Sequence, residues 1–185
     1  MPRAGLSAEA VVAAAAELAD ERGLEGVSLA RLASRLGVRA PSLYAHVGGL
    51  DDLRARLAAR GAEQLAAVLS AAAAGRSGAD ALAAVAGAYR AYARTHPGSY
   101  EALQRAGRED PRAAEAGRRV VAIVLAVLAG YGLEGEDALH ATRAVRSALH
   151  GFVSLEAGDG FGLPLDLDES FAALVATLDR GLRRE

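Results

Sequence analysis

The sequence contains no cysteine. That single absence excludes disulfides, thiolate metal sites and thiol redox sensing. Lysine is missing as well, so all 21 basic residues are arginine. Arginine suits bidentate phosphate contact, but a GC-rich genome spreads the same bias along a whole chain, so the bias marks no site. Aromatics make up only 4% of the residues, which leaves Ala, Leu and Val to build the core and favours close-packed helices over sheets. No long hydrophobic run is present. The most apolar stretch, Val120 to Ala129, is about half the roughly 20 residues that a membrane span needs and reads as a buried helix. Met1 to Ser7 lacks the charged start and apolar run of a signal peptide. The expectation is a cytoplasmic protein with no membrane partner. At 185 residues, 52% hydrophobic and 24% charged, the chain is long enough for one large or two small cores.

What is present is concentrated between Ser28 and Val47, SLARLASRLGVRAPSLYAHV. This stretch predicts two short helices and a tight turn. Ser28 is placed as the N-cap of the first, and Leu29, Leu32 and Leu36 recur on one stripe. Gly37 stands where a helix end wants a left-handed residue, and Val38 plugs the turn. The second helix begins near Ala40, with Pro41 in its first turn, where a missing amide costs nothing. Leu43 and Val47 face inward; Arg39, Ser42, Ala45 and His46 face out. Such a helix-turn-helix is sized to place its second helix in the DNA major groove. Between Gly26 and Leu50 there is no acid, while Arg31, Arg35 and Arg39 are all present. The window is local, since the whole chain carries a formal charge of −2, and phosphate neutralisation supplies most non-specific DNA affinity. An ordinary helical hairpin with a solvated arginine face fits the same spacing.

The residues themselves say more than their spacing. SLARLASRLGVRAPSLYAHVGGLDDL resembles the DNA-binding region of the TetR family of bacterial regulators, through Leu36-Gly37-Val38, then Leu43-Tyr44-Ala45-His46, then Asp51-Asp52-Leu53. The match covers roughly the first third of the chain. The resemblance implies that Tyr44 and His46 hold phosphates, helped by Ser28, with Ser42 and Arg39 on the same outward face. Arg39 then reads a guanine edge or holds a phosphate. There are departures. Where many relatives carry a phosphate-holding lysine, this chain has Leu50, preceded by Gly48 and Gly49, an edge that offers backbone amides without charge. Ala30 and Ala40 stand where relatives often carry longer polar side chains.

The rest of the chain predicts helices throughout. Helix one runs from about Ala8 to Arg22, with Ser7 as N-cap, Leu6 and Val11 as a hydrophobic staple, and a narrow buried face of Val11, Ala14, Ala15 and Leu18. Met1 to Gly5 is a tail that touches the minor groove or frays. Asp51 and Asp52 open a long helix with Leu53, Leu57, Gly61, Leu65, Val68 and Leu69 on one side, up to a break at Gly75–Gly78. The next helix aligns Leu82, Val85, Tyr89, Tyr92 and His96. A short helix over Tyr100–Arg108 follows, then a long one capped by Asp110, whose apolar middle is expected to be enclosed by neighbours. A helix from about Glu136 to Leu155 places Leu139, Thr142, Val145, Leu149 and Phe152 together. EAGDGFGLPLDL is too rich in Gly and Pro to be helical. The last helix starts near Asp168 and aligns Phe171, Leu174, Val175, Leu178 and Leu182.

HPGSY at 96–100 and the stretch from Arg146 to Phe171 resemble a TetR subgroup with a His-Gly-Phe stretch in its ligand domain. That resemblance implies a dimer made by the last two helices as a four-helix bundle. Their wide apolar faces, and Gly151 permitting close approach, support it independently. A homodimer is favoured over a monomer because two-fold pairing doubles a weak half-site. The expected interface is Leu149, Phe152, Phe171, Leu174 and Leu178. Tyr89, Tyr92 and His96, with Tyr100 and the 120–129 helix opposite, form either a satisfied core face or the wall of an effector cavity; the family resemblance favours the cavity.

Nothing points to catalysis, a cofactor or a metal. None of the four histidines pairs with another at ligand spacing, and His140 and His150 are separated by about 80° around a helix. GDGFG lacks the setting and the lysine of a phosphate loop, and Ser147 and Ser154 lack a nucleophile elbow. The reading is therefore an all-α chain, with a three-helix DNA-binding domain over residues 1–50 and a helical ligand-binding and dimerisation domain over 51–185. Its expected function is transcriptional regulation, as a repressor released from a palindromic double-stranded operator by a small apolar effector. The alternatives are a small-molecule-binding helical enzyme or a helical interaction module that binds no DNA.

Overall fold

The computed structural model describes residues 6–105 and 110–183. Among these residues there is no strand; the chain forms α1 (Ala8–Arg22), α2 (Leu29–Leu36), α3 (Leu50–Ala73), α4 (Gly78–Thr95), α5 (Pro97–Arg105), α6 (Pro111–Ala129), α7 (Gly135–Ala157) and α8 (Leu167–Leu182). Two short 3₁₀ helices occupy Leu24–Gly26 and Ala40–Ala45. No helix among the described residues is long and apolar enough to cross a membrane. Met1 to Gly5, and the end of the short helix expected to reach Arg108, lie outside the described residues.

Caps set helix starts at Ser7, Ser28 and Asp110, where the sequence places them, and at Asp166 besides. Ser7 Oγ accepts the Ala10 amide at 3.1 Å and Ser28 Oγ accepts the Arg31 amide at 3.3 Å. The Asp110 carboxylate takes the Arg112 amide at 2.8 Å, and the Asp166 carboxylate takes those of Asp168 and Glu169 at 2.7 and 3.0 Å. Each cap satisfies an amide that has no partner inside its helix.

The chain packs as two compact units. The first comprises residues up to Gln64 together with Thr95–Gly117; the second comprises Leu65–Arg94 and the residues from Arg118 on. By packing, α3 as far as Gln64 and the whole of α5 group with the N-terminal helices. Its core joins Val11, Leu18, Leu24, Leu32, Leu43, Leu53 and Leu57. The buried face of α1 is wider than expected, adding Val12, Ala16 and Ala19, because α5 packs on its other side.

In the second unit, α4 buries Leu82, Val85, Tyr89 and Tyr92, and α7 buries Thr142, Val145, Leu149 and Phe152. Three expectations need correction. Leu139 is exposed, and Ala138 takes its place on the buried stripe. Val68 is exposed while Leu69 is buried. The apolar middle of α6 is enclosed only near its end, at Val127 and Leu128, while Val121 and Ala126 stay exposed. An apolar helix is covered all round only if layers lie on both sides, and the single chain supplies one.

The centre of this unit is a buried arginine. Arg90 Nε and Nη2 donate to the two Glu156 oxygens at 2.9 and 2.6 Å, and Nη1 lies 2.7 Å from an Asp168 oxygen. The guanidinium also lies over the rings of Phe152 and Phe171, at 5.4 and 4.9 Å. One side chain of α4 thereby ties α7 to α8. The Arg90 hydrogen bonds hold the Glu156 carboxyl below the usual range.

Candidate nucleic-acid interface

The hairpin is positioned from its buried side. Leu32 and Leu43 are fully buried and Val47 nearly so, while Leu29, Leu36 and Val38 are partly covered against the same core. Gly37 closes α2 with φ 67° and ψ 31°, a left-handed geometry that glycine adopts without a Cβ clash. The Val38 amide then donates to the Ala33 carbonyl at 3.0 Å.

The second element differs from the expected α-helix. Ala40–Ala45 is a 3₁₀ helix, in which the Ser42 amide donates to the Arg39 carbonyl and the His46 amide to the Leu43 carbonyl, both at 2.9 Å. Only the Val47 amide, bonding Leu43 at 3.0 Å, makes an α-type link. Pro41 in its first turn and Gly48 soon after its end hold the segment to six residues. The tighter winding still leaves Leu43 inside and Arg39, Ser42 and Tyr44 outside, with Tyr44 61% exposed. His46 and Ser28 are half-buried at the edges of this face. Arg39, Ser42 and Tyr44 are thus all exposed within six residues of chain.

The acid-free window is less basic than it reads. Arg31 Nη1 donates to the Gly26 carbonyl at 2.9 Å. Arg35 donates to both oxygens of Glu21 at 2.8 Å and to Glu17 at 2.9 Å. The Arg35 hydrogen bond holds the Glu21 carboxyl below its ordinary value. Neither acid lies within the window; α1 brings both to it. Among the described residues the Arg39 side chain has no hydrogen-bond or ion-pair partner, so it is the window's uncommitted cation. At the exit of the hairpin, the Gly48 amide donates to Asp52 at 2.9 Å, and this bond is the main cause of the lowered Asp52 carboxyl. That amide is therefore already satisfied by the chain.

A second polar feature escaped the sequence reading. Asp20, in the last turn of α1, accepts the Ser99 amide at 2.8 Å and faces His96 Nδ1 at 3.2 Å. Glu101 takes the Leu24 amide at 3.1 Å, and Arg105 pairs with Glu25. Gly98 lies so close to α1 that a Cβ there would stand 2.1 Å from the Ala19 carbonyl carbon. This docks α5 along the end of α1. No local pattern links residues so far apart in sequence; the nearest signal is the small residue at Gly98.

The four expected effector residues do not share one setting. Tyr89 lines an apolar cavity of about 40 Å³ in the second unit, with Leu82, Val124, Val127 and Leu128 among its other walls. Tyr92 is buried on α4; His96 sits at Asp20 and Tyr100 is buried on α5, both in the first unit. The cavity is far below the roughly 300–1,000 Å³ of typical ligand pockets.

The five expected interface residues also divide. Leu149, Phe152 and Phe171 are buried within the chain, with the two rings 5.0 Å apart edge to face. Leu174 and Leu178 are only half-buried on α8. His150 is half-buried; burial first, then the Arg146 charge, pushes its imidazole down. Among the described residues no group of three metal-ligating side chains occurs.

Comparison with known proteins bears on the hairpin directly. The family model described as bacterial regulatory proteins, tetR family, matches residues 11–57. A second, described as tetracyclin repressor-like, C-terminal domain, matches residues 82–178. An uncharacterized HTH-type transcriptional regulator of Mycobacterium tuberculosis is 42% identical over 98% of this chain and 84% of its own length. The uncharacterized HTH-type transcriptional regulator YobS of Bacillus subtilis is 40% identical over 98% of this chain and 95% of its own. A solved protein of unknown function from Rhodococcus sp. RHA1 superposes with a TM-score of 0.85 at 26% identity, covering all of both chains.

Proposed function

The chain belongs to the TetR family of bacterial regulatory proteins, and from that premise we propose that it is a homodimeric repressor which binds a palindromic operator and leaves it when a small apolar effector is bound. DNA binding by a transcriptional regulator follows from the family; repression, the palindrome and the dimer are this reading. One observation carries it. Arg39, Ser42 and Tyr44 are all exposed on a segment pinned from behind by Leu43 and Val47, and the Arg39 side chain is uncommitted among the described residues. Tyr44, His46 and Ser28 hold phosphates. Arg39 holds a phosphate or reads a guanine.

We assign DNA binding to residues 1–50 and effector binding with dimerisation to 51–185, in the subgroup marked by His150-Gly151-Phe152. The half-buried Leu174 and Leu178, one turn apart on α8, give the last helix an apolar surface for a second copy. The effector acts in the second unit at the Tyr89 cavity, which enlarges around it. Occupancy favours a spacing of the two hairpins that no longer fits the operator.

The test is a titration of Arg39→Ala and Tyr44→Ala against operator and scrambled duplex at several salt concentrations. Loss of a guanine contact costs about 1–3 kcal/mol and relaxes preference at one base pair. Loss of a phosphate contact weakens every sequence alike and lowers the salt slope by about one. A folded variant pair that binds like the parent removes the hairpin as the DNA-binding element.

A further inference from the structure

Two buried side-chain atoms among the described residues lack a hydrogen-bond partner, and both are arginine Nε atoms of α3, on Arg54 and Arg60. Unpaired buried donors are rare in folded proteins and call for an explanation. Arg54 lies 3.8 Å from Glu25 through its terminal nitrogen, so its charge has a local partner. The Arg60 side chain has neither an ion pair nor a hydrogen bond among the described residues.

Arg60 lines a surface groove of about 860 Å³ in the first unit. Its floor is α3, from Arg56 to Glu63; the first turns of α1 form one wall, and Arg112 enters from the start of α6. The three arginines are differently committed. Arg56 is bound to Asp52 at 2.8 Å. Arg112 is more than half exposed and reaches the other Asp52 oxygen only at 3.7 Å. The groove's own acids, Glu9 and Glu63, are both exposed. A carboxylate shared between Arg56, Arg112 and the Gly48 amide cannot also neutralise Arg60.

We infer that this groove is a binding site for a phosphoryl group, held between Arg60 and Arg112. The planar guanidinium fork, always charged, matches the oxygens of a phosphate better than it matches any neutral group. Two sources offer that chemistry: a free phosphorylated molecule, or a DNA backbone phosphate beyond the hairpin's own contacts. Through Asp52 the Arg112 end of the groove is joined to the hairpin's exit at Gly48, the end nearest a flanking phosphate. The DNA source rests on the proposed function; the free ligand does not.

The experiment uses the full chain with pyrophosphate as probe, at constant ionic strength, together with the salt dependence of duplex binding. Arg60→Gln/Arg112→Gln is compared with the parent and with Arg180→Gln, a charge removed from an exposed position on α8. Pyrophosphate should raise the melting temperature of the parent and of Arg180→Gln, as any ligand of the folded state does, and not that of the double variant. A salt slope lowered by about two in the double variant, one for each lost phosphate contact, identifies the occupant as DNA; an unchanged slope identifies a free phosphorylated molecule. If pyrophosphate fails to stabilise the parent and the double variant matches Arg180→Gln in slope, the inference is overturned. A parent chain that binds no duplex defeats the DNA reading alone, and the pyrophosphate measurement still decides the groove. Should the double variant melt early, Arg112→Gln alone carries the same comparison.

Discussion

Arg35 of α2 grips Glu21 of α1 with two parallel hydrogen bonds of 2.8 Å. A guanidinium so engaged is a clamp between two helices and is not available to a phosphate. Arg35→Gln should therefore leave the salt slope and sequence preference of DNA binding unchanged, whereas Arg39→Ala lowers the slope or relaxes preference at one base pair. Binding isotherms at four salt concentrations check both. An equal drop for the two variants means that Arg35 leaves Glu21 when DNA arrives.

The contact between Gly98 and Ala19 sets a second expectation. A methyl group at Gly98 would meet the backbone of α1 at 2.1 Å, which no side-chain rotation relieves. Gly98→Ala should destabilise the chain by at least the roughly 1–3 kcal/mol typical of overpacking, by lifting α5 from α1 and exposing the Asp20–Ser99 hydrogen bond. Denaturant melts measure the loss, and hydrogen exchange at the Ser99 amide locates it. Unchanged stability would mean that α5 is held elsewhere.

Arg90 and Glu156 supply a pH signature. Arg90 holds the Glu156 carboxyl below its ordinary value. The unfolded chain therefore binds this proton more readily than the folded one. The stability it contributes is complete above the unfolded glutamate value of about 4.3 and is lost as pH falls through the lower folded value. Glu156→Gln should flatten that acid limb. Glu156→Ala should cost about 3 kcal/mol near neutrality, the lower end for leaving a buried charge short of its partner, since Asp168 remains. Denaturant midpoints between pH 3 and pH 7 test both signs.

Local chemistry was the legible part of this molecule. Caps at Ser7, Ser28 and Asp110, the left-handed Gly37 and the inward Leu43 and Val47 are written within a few residues of where they act, and the structure places them there. The resemblance of the hairpin to a known family lay in a contiguous motif for the same reason. What could not be read depends on partners distant in sequence. Arg35 looks like a DNA ligand until α1 delivers Glu17 and Glu21, and His96 looks like a cavity wall until Asp20 is found beside it. Leu139 shows the limit of periodicity: Ala138, one position away, keeps the same stripe and is the residue that is buried.

The proposed dimer makes its own demand. Leu174 and Leu178 are the two of the five expected interface residues that the chain leaves half-uncovered. Replacing both with Glu buries charge in the contact and should yield monomers by sedimentation, while circular dichroism stays helical. Gly151, with open space where a Cβ would be, sharpens this. Within one chain Gly151→Ala should gain up to about 1 kcal/mol of helix stability; a loss of dimer instead would place a partner backbone against it. A double Glu variant that sediments as an intact dimer puts the interface elsewhere.

If the proposed function holds, this chain reads DNA as a two-fold pair through the exposed Arg39, Ser42 and Tyr44. Selection of bound fragments from genomic DNA, run with the parent chain and with Tyr44→Ala, tests it most directly. The parent should enrich fragments sharing an inverted repeat whose half-sites are about one helical turn apart, or a multiple of it, and Tyr44→Ala should lose the enrichment. Fragments enriched without two-fold symmetry, or enriched equally by the folded variant, would contradict it.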